Sequence, residues 1–148
     1  MSRVVAVCTA DSTGQRKKEV PAARLLPEWG IEGDAHASDW HRQVSLLARE
    51  SIDKMINQGL KVGPGDFAEN ITTEGINLVD LSLGTVLKIG SGVELEVTQI
   101  GKECHDRCAI YHQAGDCVMP REGIFARVLN GGEIKPGDEI ELVEGARE

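Results

Sequence analysis

The chain has 148 residues, with 24 acidic against 16 basic side chains and a formal net charge of -8. That length suits one domain spanning 1–148, burying about 70% of its unfolded surface without help from metal or disulfides. The acidic balance excludes general nucleic-acid binding, which needs clustered Lys and Arg to displace counterions.

Val4 to Val7 is apolar but too short for a secretory core, and nothing approaches ~18 uninterrupted apolar residues. No membrane association is expected, and the expected address is cytoplasmic. Thiols there stay reduced, so the four cysteines read as metal ligands or redox groups before they read as disulfides. Abundant Gly and scarce aromatics suit a mainly β domain with tight turns and a few helices, its core filled by aliphatic side chains.

Val4 to Cys8 has the pattern of a buried strand, closed by turn residues Asp11 to Gly14, with Cys8 packed inside. The basic run Arg16-Lys17-Lys18 is broken at once by Glu19 and reads as a solvated loop rather than a phosphate patch. Pro21 to Pro27 predicts an irregular or extended connection anchored by Ala23, Leu25 and Leu26. In Gly30 to His36 two glycines permit sharp turns. Asp34 and His36, two apart, share a side if the segment is extended. They mark a ligand-site corner or simply a turn.

Arg42 to Leu47 alternates and predicts a strand that begins beside His41 and Arg42. Arg is the preferred side chain for gripping phosphate in a fork. Ala48 to Gln58 predicts a helix stopped by Gly59. Gly63-Pro64-Gly65-Asp66 predicts a tight turn. Glu69 and Asn70 then precede a strand over Ile71 to Thr73. Asn70 could offer both donor and acceptor to a planar heterocycle, or merely serve a turn.

Gly84 to Gly101 predicts a hairpin turning at Ser91-Gly92. Val93, Leu95 and Val97 face inward, with Glu94, Glu96 and Thr98 outward. Pro120 can sit in a first helical turn, and Glu122 to Leu129 predicts a short amphipathic helix burying Ile124, Phe125, Val128 and Leu129. A final strand is expected over Ile140 to Val143.

The hairpin's second arm runs into the densest cluster of soft side chains. Cys104, Cys108, His112 and Cys117 are separated by three, three and four residues, and four such ligands could wrap one tetrahedral zinc. The competing reading is a single working thiol. Lys102 and His105 flank Cys104, and two cations so close would favour its thiolate. Such a thiolate could carry sulfur as a persulfide or ligate a soft metal such as molybdenum.

Several motifs stand in an order that resembles the MOSC domain, the C-terminal domain of molybdenum-cofactor sulfurase. They are GIEGDAH (30–36), HRQVSLL (41–47), GDFAENITTEGI (65–76), the hairpin LSLGTVLKIG (81–90), and then a lysine and a cysteine. The resemblance covers nearly the whole chain and suggests a stand-alone member.

It implies a β-barrel fold and a catalytic Cys104 that accepts sulfur. The donor would be a pyridoxal-phosphate-dependent cysteine desulfurase. The acceptor would be a molybdoenzyme or a cofactor-biosynthesis protein, and the cofactor molybdopterin. His36, Arg42 and Asn70 would line the cofactor pocket, and Lys102 joins Arg42 as a partner for the cofactor's phosphate. Some relatives instead reduce N-hydroxylated compounds, which is a second expectation. A zinc-holding structural or regulatory module is a third.

Departures from the family pattern are Glu103 where proline is common, Ala68 where glycine is usual, and Ala37-Ser38 where a glycine often sits. Cys108 and Cys117 lie outside the general pattern.

Overall fold

The computed structural model describes residues 2–10, 17–34, 37–38, 40, 43–59, 61–67, 69–90, 92–100 and 123–143. The first elements are strands β1 (Arg3–Thr9), β2 (Lys18–Val20), β3 (Ala23–Leu26), β4 (Gly30–Ile31) and β5 (Val44–Ala48), followed directly by helix α1 (Arg49–Asn57). After them come β6 (Ile71–Glu74), a 3-10 turn at Leu78–Asp80, β7 (Val86–Ile89), β8 (Val93–Ile100), β9 (Ile124–Asn130), β10 (Gly132–Ile134) and β11 (Ile140–Val143). The chain is mainly β, as its composition suggests.

Eight strands form one sheet in the order β11-β7-β8-β9-β5-β6-β1-β2, and β10-β3-β4 form a second. All neighbours are antiparallel except β5 and β6, which run parallel with α1 as the start of their crossover. The expected barrel is not closed by a continuous ladder. Among the described residues one isolated bridge, Arg3 to Glu139, draws β1 toward the residues that enter β11. Three backbone bonds accompany it: Val4 N to Asp138 O and Gly137 N to Val4 O, each 2.8 Å, and Ile140 N to Ser2 O, 3.0 Å.

The period of two divides the sheet into faces. Val44, Leu46, Ile71, Leu95, Val97, Ile124, Ala126 and Val128 share the main core with Leu25, Ile31 and Ile134 of the small sheet. Ala6, Cys8, Leu47, Ile52, Met55, Phe67 and Phe125 are buried outside that cluster. Alternation places the strand members of this second set on the opposite face, where α1 packs against β5 and β6. The helix ends as expected: Gly59 takes a positive φ of 98°, and its N–H donates to Ile56 O at 2.9 Å.

The β7–β8 hairpin forms in the expected register, with Ile89 opposite Val93 and Leu87 opposite Leu95. The expected helix over Glu122 to Leu129 is instead strand β9, paired with both β8 and β5. A central strand is covered on both faces, so Ile124 and Phe125 are both buried and no clean alternation remains. Apolar residues at 124, 125, 128 and 129 imitate helical spacing for that reason. The Pro21 to Pro27 connection contains a regular strand, β3, whose Ala23 and Leu25 are buried. Among the described residues no helix is long and apolar enough to cross a membrane.

Candidate functional site

Register carries one row of residues across six strands: Val20, Val7, Ile71, Leu46, Ile124 and Ile100. One residue from it lies a second row, containing Cys8, Asn70, Ser45, Phe125 and Gln99, on the face that α1 covers. Its first three members build a buried polar knot.

Asn70 is fully buried, and both ends of its amide are engaged. Its Nδ2 donates to Cys8 O at 3.1 Å. Its Oδ1 accepts from Ser45 N at 3.0 Å and from Ser45 Oγ at 3.2 Å. Its own N–H reaches Ser45 O and Ser45 Oγ, each at 3.0 Å. Cys8 N completes the set by donating to Asn70 O at 2.7 Å. Asn70 therefore staples β1 to β5 where β6 begins. Its Oδ1 has both lone pairs occupied, so in this arrangement it holds the frame of a pocket and leaves that oxygen no capacity for a ligand.

Glu69 lies beside it, also fully buried. Its Oε2 accepts from Gly65 N at 2.9 Å and Thr72 Oγ1 at 2.8 Å, while Oε1 has no hydrogen-bond partner among the described residues. Burial pushes the Glu69 carboxyl up to about 7, against the pull of these donors and of the Phe67 and Glu69 amides. Burial, then the nearby Glu69, raises the Cys8 thiol as well, so this cysteine is an inert packing group.

The basic run contains a second surprise. Lys17 is not solvated: its Nζ pairs with Asp34 Oδ1 at 2.8 Å, with side chains 1% and 0% exposed. Asp34 Oδ1 also accepts from Ala10 N at 3.1 Å. A compact ammonium can be buried only with such a partner. Lys17 N donates in turn to Gly65 O at 2.7 Å. Gly65 has a φ of +87°, and a Cβ there would run into Lys17 O. Only glycine permits that approach.

The knot thus ties the entrance of the 35–42 stretch, through Asp34, to the 63–70 stretch that ends in Asn70. These are two of the motifs singled out in the sequence. Asp34, Glu69 and Asn70 were visible there as polar residues; Lys17 and Ser45 were not, because their partners are remote in sequence. His36, Arg42, Lys102, Cys104, Cys108, His112 and Cys117 lie outside the described residues. Their anchors do not. Ile100 pairs with Ile124, so the stretch bearing the thiols leaves and rejoins the sheet at adjacent points on its central strands.

Among the described residues no group of three His, Cys, Asp or Glu side chains could hold a metal ion. A cleft of about 510 Å³ lies at the far ends of β5 and β6 from the knot. Ala48, Glu50, Ser51 and Lys54 line one side of it, and residues 75–79 the other.

The family model of the MOSC domain matches residues 32–141. No curated protein matches the sequence. Among solved structures, the chain is similar to the YuaD protein from Bacillus subtilis, with a TM-score of 0.78, 20% identity and 96% of each chain covered. It is similar to YiiM from Geobacillus stearothermophilus, with a TM-score of 0.74, 22% identity, and coverage of 97% of this chain and 76% of that one. YiiM from Escherichia coli aligns with a TM-score of 0.71, 21% identity, and coverage of 97% and 70%.

Proposed function

This chain belongs to the MOSC domain family, which is associated with molybdenum-cofactor binding and sulfur chemistry, and on that premise we propose that it carries sulfur on Cys104 as a persulfide and delivers it to a molybdenum cofactor or another metal–sulfur centre. The observation that carries the reading is the extent of the match: residues 32–141 take in every assigned site residue from His36 to Cys117. The pairing of Ile100 with Ile124 supports it by rooting the thiol-bearing stretch in the middle of the sheet.

The chemistry is thiol exchange. The Cys104 thiolate attacks the outer sulfur of a donor persulfide, the donor's sulfur–sulfur bond breaks, and the donor cysteine leaves as a thiolate. A pyridoxal-phosphate-dependent cysteine desulfurase in the reducing cytoplasm is the proposed donor. A molybdoenzyme or a cofactor-biosynthesis protein is the proposed acceptor.

The donor set fits molybdopterin by its chemistry: a thiol for a soft metal, and a guanidinium and an ammonium for a phosphate. Arg42 and Lys102 would hold the phosphate, His36 would line the pocket, and Cys104 would ligate the metal. Asn70 would act through the frame it holds. When bound, the cofactor supplies a soft metal centre that accepts sulfur.

Native mass spectrometry of anaerobically purified protein tests this. One extra sulfur is expected, removed by thiol reductant and absent from Cys104→Ala. Zinc retained without extra sulfur or pterin would overturn the proposal in favour of a site made by Cys104, Cys108, His112 and Cys117. A permanently bound pterin without extra sulfur would overturn it in favour of a reductase of N-hydroxylated compounds.

A further inference from the structure

We propose that Glu69 is a proton-operated latch on the 63–67 loop: neutral, it holds the loop down over Cys8 and Lys17; ionised, it lets the loop lift. The inference rests on the polar knot alone and does not depend on the sulfur-carrier reading.

The two carboxyl oxygens are unequal. Oε2 is held by Gly65 N from the loop and by Thr72 Oγ1 from β6. Oε1 is buried without a hydrogen-bond partner among the described residues. A neutral acid tolerates that vacancy far better than a carboxylate, whose second oxygen demands donors or water. The buried ammonium of Lys17 is already committed to Asp34. Among the described residues, the Cys8 thiol on β1 feels Glu69 and Lys17 and, besides them, Glu19 on β2 and Asp66 in the loop. Neither the thiol nor Glu19 nor Asp66 is a cation, so none of these three can answer a charge on Glu69.

Water is a further source of relief, and the loop is bonded directly to the buried carboxyl through Gly65. Gly65 is the contact that would give. Its N–H holds Glu69, its carbonyl holds Lys17 N, and a Cβ added to it would crowd the Cys8 sulfur. The fully buried carboxyl keeps its proton up to about pH 7, so the latch would operate near neutrality. In the open state the carboxyl returns to its ordinary value near 4.5. The folded group binds its proton more tightly, so the closed state loses its advantage as pH rises toward 7.

Hydrogen exchange of the intact chain tests this, under conditions where exchange follows the opening equilibrium. After correction for intrinsic rates, opening of the Gly63, Gly65, Asp66 and Phe67 amides should rise about tenfold between roughly pH 6 and pH 8. The β7–β8 hairpin should not change. Glu69→Gln should flatten the rise. Thr72→Val, which removes one donor from Oε2, should move it to higher pH. A rise that persists in Glu69→Gln, or no rise in the parent chain, overturns the proposal. If Glu69→Gln does not fold, Thr72→Val decides alone: an unmoved midpoint overturns the latch.

Discussion

Asn70 shows how one side chain can belong to a site without touching what the site binds. Its carbonyl oxygen and its backbone serve Ser45, and its amide nitrogen serves the carbonyl of Cys8. Replacing it by Leu keeps the volume but leaves the Ser45 N–H and the Cys8 carbonyl buried without these bonds. Two such losses at ~1–3 kcal/mol each predict a destabilisation of about 2–6 kcal/mol, measured by urea denaturation. A change below ~0.5 kcal/mol would show that the amide is not the staple described. The sequence marked Asn70 as polar and well placed, but not its partners, because Cys8 and Ser45 are 62 and 25 residues away. Lys17 was misread for the same reason. A lysine in a basic run looks solvated until its carboxylate, 17 residues on, is known.

At the scale of elements, the hairpin with one covered face was the clearest to read. The β7–β8 hairpin alternates buried and partly exposed residues, with Val93, Leu95 and Val97 inward, and that pattern can be read directly. Helix α1 was legible by its apolar stripe and its glycine stop. Strand β9 was not, since burial on both faces erases the period. The two readings of β9 predict opposite outcomes at Ala126. A helix that buries Ile124, Phe125, Val128 and Leu129 turns Ala126 outward, where Gln would cost nothing. In strand β9 Ala126 is fully buried, opposite Val44 on one side and Val97 on the other. Ala126→Gln should therefore cost about 3 kcal/mol or more, through overpacking and an unpaired amide, read from the denaturation midpoint. A neutral result would return the segment to the helix.

Over the whole molecule, a mainly β, barrel-like domain was readable from composition and patterning, and the family resemblance pointed to a barrel as well. Closure could not be read, because it depends on a few bonds between the first strand and the residues before the last. Those bonds also fix how the molecule answers a pull. The start of β1 and the segment entering β11 run antiparallel, with Ser2 bonded to Ile140 and Val4 to Asp138. Ser2 and Val143 therefore leave the seam from the same end. Tension applied through them loads the seam's bonds one after another, like a zipper, rather than all together in shear. Optical-tweezer handles at Ser2 and Val143 should show a small early step as the seam parts, followed by rupture of the central strands at higher force. A single all-or-none rupture would mean that the seam is as strong as a full ladder.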